Sequence, residues 1–117
     1  WDNEEQVKAS NRTIVITEEL VSTETIRRYP ERTLVPGFKV SHVVHLPFAA
    51  HPSSVYGVYD FDKEHIKLYA EASRTPQGFQ EYLDTYVHGV KDHWGYLEKL
   101  GGMKYLDTLL ADPILGY

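Results

Sequence analysis

Hydrophobic residues follow two different patterns along the chain. In the first half they bunch, and Ile14-Val15-Ile16 is an unbroken β-branched run of the kind seen in strands covered on both faces, as in parallel sheets. In the second half they recur at steps of three and four: Phe79, Tyr82, Leu83, Tyr86, Val87, Val90, Trp94 and Leu97. That is the period of an amphipathic helix. The first pattern predicts a strand within "RTIVITEEL"; the second predicts one long helix from Pro76 to about Leu100.

Local signals fill in the remainder. Residues 2 to 10 are polar and helix-permissive, with Asn11 suited to ending a helix. Ser22 reads as an N-cap, with Glu24 in the first turn and Val21 and Ile26 spaced as a hydrophobic staple, and Pro30 closes the short helix. Pro36-Gly37 makes a turn before a second strand over Phe38 to Leu46. Asp62 caps another helix that runs to about Ser73, stapled by Phe61 and Ile66. Thr75-Pro76 places proline at a first helical position, where its missing N–H costs nothing. Gly101-Gly102 breaks the long helix, and "MKYLDTLLADP" forms a last short one before Pro113. The result is an α/β chain with two or so strands followed by helices. Two strands are marginal by themselves, so the segment reads as part of something larger.

Composition narrows the class. At 117 residues and 42% hydrophobic, the chain fits one domain over residues 1–117. Its net charge is -5, and basic residues gather only at Arg27-Arg28, so the footprint of a nucleic-acid binder is missing. With no cysteine there is neither a disulfide nor a thiolate ligand, which fits the cytoplasm. The longest mostly apolar stretch, Val43 to Ala50, is interrupted by His45 and Pro47 and falls well short of the roughly 20 residues that span a bilayer. The chain starts at Trp1 and its single methionine is Met103, so it reads as excised, processed or truncated from a longer polypeptide.

Candidate chemistry concentrates in "VVHLPFAAHPSSVYGVYDFDKEH", residues 43 to 65. His51, Ser53, Ser54 and Asp60 have the residue types of an acyl-transfer triad, but their order and crowding match none, and the G-x-S-x-G elbow is absent. Hydrogen bonds that fix a turn after Pro52 are the simpler role. Residues 47 to 60 form a connection longer than the usual two to six, placed where α/β sheets bind ligands. The six histidines do not suggest a metal site: His42 and His45 fall on opposite faces of a strand, and His88 and His93 lie about 140° apart around a helix. Glu18-Glu19 reads as a solvated pair. Tyr56, Tyr59 and Tyr69 are expected to pack, although stacking on a base is chemically open to them.

Two longer stretches carry a family resemblance. "RTIVITEELVSTETIRRYPERTLVPGFKV" and "VVHLPFAAHPSSVYGVYDFDKEHIKLYAEA" resemble the C-terminal portion of the α (A) subunit of class I CoA-transferases, glutaconate type. The marks are the Thr13-Ile14-Val15-Ile16-Thr17-Glu18-Glu19-Leu20-Val21 strand, the R-T-x-[VI]-P-G-F turn at Arg32 to Phe38, and the P-F-[GA]-A-H-P-x-S-x-Y-G-x-Y-D-[YF]-D run at Pro47 to Asp62. The likeness covers roughly residues 10 to 97. Ala49 stands where glycine is usual and Val55 where cysteine is usual.

The resemblance implies an open α/β fold and an enzyme of α and β subunits that moves CoA between an acyl-CoA thioester and a carboxylic acid. In such enzymes a glutamate attacks the thioester, passes through an anhydride and becomes a glutamyl-CoA thioester. In the glutaconate type that glutamate belongs to the β subunit. No residue of this chain is therefore expected to be catalytic, and the 117 residues alone are expected to be inactive. His51, Ser53, Ser54 and Tyr56 become candidates for substrate binding or for bracing the subunit interface. CoA enters as a substrate, with no resident cofactor, metal, membrane or nucleic acid. Two alternatives accompany this reading: a CoA-thioester or ring-opening hydrolase subunit of the same fold, and a non-catalytic interaction module.

Overall fold

The β-branched run becomes strand β1, Ile14–Thr17, which pairs in parallel with β2, His42–His45. The register sets Ile14 against His42 and Thr17 against His45. The computed structural model describes residues 2–112 and 114–115. They fall into two compact units, one up to Ala49 and one from Ala50.

In the first unit, helix α1 spans Asp2–Ala9, and Ser10 closes it by donating its hydroxyl to the Gln6 carbonyl at 2.6 Å. A parallel pair needs a crossover, and here it carries helix α2, Thr23–Arg28, followed by single 3₁₀ turns at Pro30–Arg32 and Gly37–Lys39. Ser22 caps α2 as its sequence predicts, accepting the Thr25 N–H at 3.2 Å. The second strand is shorter than predicted. Pro36 accepts the Lys39 N–H and Gly37 the Val40 N–H, so residues 37–39 coil and extended backbone begins only near Ser41, whose N–H reaches the Thr13 carbonyl at 2.8 Å. Expected burial on both faces of β1 is also not met within this unit: Ile14 is 62% and Ile16 56% exposed.

The second unit is helical. Helix α3, Lys63–Ala72, packs on α4, Pro76–Leu83, and α5, His93–Leu100, packs on α6, Gly102–Leu106. Its core holds Tyr59, Leu97 and Leu106 together with the polar Asp62 and His65. The cap at Asp62 forms as predicted, accepting the His65 N–H; Pro76 opens α4 as predicted, and Thr75 before it accepts the Gly78 N–H.

The single long helix does not form. After α4 the chain makes a π-helical turn, Asp84–His88, closes at Gly89, and restarts at Asp92, whose carboxylate accepts the Gly95 N–H at 2.9 Å. A Cβ at Gly89 would run into the Asp84 carbonyl, so a residue without one is required there. The apolar spacing passes through this break because the wider π turn and a short loop happen to preserve it. Gly101 and Gly102 do end α5 as expected, both with positive φ. The predicted last helix is α6 plus a 3₁₀ turn at Asp107–Leu109, and Pro113 lies outside the described residues. Among the described residues no helix is long and apolar enough to cross a membrane.

Candidate functional site

Residues 50 to 61 are held by their own backbone. Val55 and Tyr59 exchange two hydrogen bonds at 3.0 Å, and Val58 N–H closes a turn on Val55. Gly57 takes φ 75° in that turn, a conformation glycine adopts without steric cost. Tyr59 is 1% exposed, and its hydroxyl accepts the Ala50 N–H at 3.0 Å. Asp62 N–H reaches the Pro52 carbonyl, Asp60 N–H reaches Leu109, and Ala111 N–H reaches Val58. The loop is a fixed projection, with Tyr56 at its tip 85% exposed.

Beneath the tip lies a cluster of buried polar side chains. His51 Nε2 is 2.9 Å from Asp62 Oδ2, and His51 Nδ1 is 2.6 Å from the Tyr96 hydroxyl. Tyr105 donates to the same Asp62 oxygen at 2.8 Å, while Asp62 Oδ1 accepts the His65 backbone N–H. His65 in turn meets the Tyr82 hydroxyl at 2.8 Å through Nε2, and its ring packs edge-on against His51 and Tyr86. Asp62 thus joins the loop, the start of α3 and helix α6.

The electrostatics favour an ionised Asp62 carboxylate. Burial opposes ionisation of Asp62, but hydrogen bonds from the His65 backbone, His51 and Tyr105 outweigh it and hold the carboxyl below its usual range. Burial, and then the neighbouring His51, lower His65. Burial pushes Tyr105 up to about 12, with the Asp62 hydrogen bond adding to it, and raises Tyr82 and Tyr96 as well. An ionised carboxylate only accepts hydrogen bonds. His51 therefore donates from Nε2 to Asp62, and its Nδ1 pairs with the Tyr96 hydroxyl at 2.6 Å.

Those partners limit the chemistry. Both His51 nitrogens are occupied, so the ring has none left to activate Ser53 or Ser54, and its acidic partner is Asp62 rather than Asp60, which accepts the Phe61 N–H. His51, Asp62 and His65 place possible metal-ligand atoms within 4.8 Å of one another. Yet the His51–Asp62 contact at 2.9 Å is a hydrogen bond, shorter than the roughly 3.3 Å that separates two ligands on a tetrahedron of ~2.0 Å bonds. The donor set is already satisfied by protons.

Of the residues singled out in the sequence, His51 turns inward with its side chain 1% exposed, while Ser53, Ser54 and Tyr56 face outward. Sequence reasoning treated Asp62 only as a helix cap and passed over His65, Tyr96 and Tyr105; the spacing His51, Asp62, His65 was the available signal. Glu18 is also more than a solvated charge. In the first unit its carboxylate accepts the Phe48 N–H at 2.6 Å, and Phe48 is held at φ 57°. Glu19 stays exposed.

Comparison with known proteins shows what the chain resembles. The chain is 42% identical over 110 residues to the α subunit of glutaconate CoA-transferase from Acidaminococcus fermentans, covering 94% of this chain and 34% of that protein. The crystal structure of glutaconate CoA-transferase from that organism superposes with a TM-score of 0.92 at 41% identity, over 98% of this chain and 36% of its own. The chain is homologous to CoA-transferase α subunits. No family model matches it. An uncharacterised Archaeoglobus fulgidus protein is 49% identical over 90% of this chain and 24% of its own length. A cholesterol ring-cleaving hydrolase subunit of Rhodococcus jostii is 32% identical over 69% of this chain and 26% of its own. The chain thus spans about a quarter to a third of the length of these curated relatives. The α/β fold expected of a segment of a CoA-transferase α subunit is the fold observed.

Proposed function

We propose that this chain is part of a CoA-transferase α subunit that, with a β subunit, moves CoA from an acyl-CoA thioester to a carboxylic acid in the cytoplasm. The observation that carries this reading is 42% identity across 94% of the chain to a glutaconate CoA-transferase α subunit, joined to a shared fold. Coenzyme A is a substrate and no resident cofactor is needed. Ser53, Ser54 and Tyr56 form the contact surface for the acyl-CoA or the β subunit, and His51 supports it from beneath. The resemblance to the glutaconate type assigns the attacking carboxylate to the partner, and the buried Asp62 is occupied by hydrogen bonds.

The test uses the full α subunit purified with its β partner, incubated with acetyl-CoA and labelled acetate or succinate. Label entering CoA thioester is the expected result. Loss of thioester to water without incorporation would instead favour a hydrolase, and a complex inert in both assays would point to an interaction module.

A further inference from the structure

We propose that the Tyr96–His51–Asp62 chain is a positioning device for the exposed loop tip, with Asp62 as the positioning residue. This rests on the reading of Ser53, Ser54 and Tyr56 as a contact surface. The tip reaches the body of its unit through His51 and the neighbouring Pro52, whose carbonyl accepts the Asp62 N–H at 2.9 Å. Asp62 therefore grips the loop twice, through its backbone and through His51 Nε2. Tyr96, on α5, completes the grip at Nδ1. The His51 and Asp62 side chains are each 1% exposed, whereas Tyr56 is 85% exposed.

From Nε2 the His51 ring donates to the carboxylate, and through Nδ1 it pairs with the Tyr96 hydroxyl. Asp62→Asn keeps the volume but presents an amide N–H₂ to His51. The ring then loses its carboxylate acceptor at Nε2, and charge-assisted bonds become neutral ones of roughly half the strength. The loop then opens more often, by about tenfold, if one to two kcal/mol of bonding is lost, as such substitutions typically cost.

The experiment is hydrogen exchange by mass spectrometry on the full α subunit with its β partner, together with kcat and KM for acetyl-CoA in exchange with labelled acetate. Asp62→Asn is expected to speed exchange of residues 50–61 about tenfold and to raise KM more than it lowers kcat. Nitrogen-15 histidine spectra should show the His51 Nε2 signal changed by the loss of its carboxylate acceptor. Tyr96→Phe, which removes one hydroxyl, should move exchange and KM in the same directions by less, and it carries the test if the asparagine variant does not fold. Unchanged loop exchange would overturn the brace. Faster exchange with unchanged KM would overturn its role toward substrate. If the wild-type complex transfers no CoA, the functional reading fails and the positioning of substrate falls with it, while loop exchange still reports on the brace.

Discussion

The Nε2 atom of His51 and Oδ2 of Asp62 form a 2.9 Å hydrogen bond between two side chains that are each 1% exposed. Buried pairs of this kind are asymmetric: removing one member strands the other. Asp62→Ala would leave His51, Tyr105 and the His65 N–H without their acceptor, and should cost the full-length protein about 3 kcal/mol. His51→Gln keeps a donor near the Nε2 position and should cost about 1 kcal/mol. Urea unfolding of the two variants checks the order; equal losses would contradict it.

The cluster also sets an acid response. His65 is lowered by burial and by His51, so the unfolded chain takes up a proton at this residue in a range where the folded chain does not. Stability is then complete above about pH 6.5 and declines as the pH falls toward the folded value. Asp62 adds a lower step: its folded pKa lies below the ordinary carboxylate value, so its contribution is present above about pH 3.9 and is lost as the pH drops through the folded value. Unfolding midpoints measured from pH 8 to 3 should fall in these two windows, and His65→Asn should remove the upper one.

Gly89 tests the interrupted helix. In a continuous helix Gly→Ala is worth up to about 1 kcal/mol of stabilisation. Here the added Cβ meets the Asp84 carbonyl, so Gly89→Ala should lower the melting temperature. A rise would mean that α4 and α5 form the single helix that the apolar period suggests.

Much of the fold was legible because its signals are local. The caps at Ser22, Asp62 and Thr75 each need only a side-chain oxygen and an N–H three residues later. The parallel pairing was readable from the β-branched run at residues 14 to 16. The π turn was not, because a 3.6-residue count tolerates one extra residue when the flanking side chains stay apolar. The polar cluster was half legible: His51 stood out in its loop, but its partners come from 11 and 45 residues away, and a cap such as Asp62 looks the same in sequence whether its second oxygen meets water or a histidine.

The loop tip separates stability from binding. Tyr56 is 85% exposed, and neither it nor Ser54 has a side-chain partner among the described residues. Tyr56→Ala and Ser54→Ala should therefore change unfolding free energy by less than about 0.5 kcal/mol, yet weaken acetyl-CoA turnover in the assembled enzyme. Unaltered turnover in both variants would remove the tip from the substrate surface and leave contact with the β partner as its role, readable from the stability of the complex.

A CoA-transferase whose attacking glutamate lies on the partner chain should carry its covalent intermediate there. Intact-mass analysis of the assembled enzyme after acetyl-CoA is added tests this most directly. The expected result is a CoA adduct on the partner chain and none on the chain carrying His51 and Asp62; an adduct on this chain, or none on either while thioester is consumed, would contradict it.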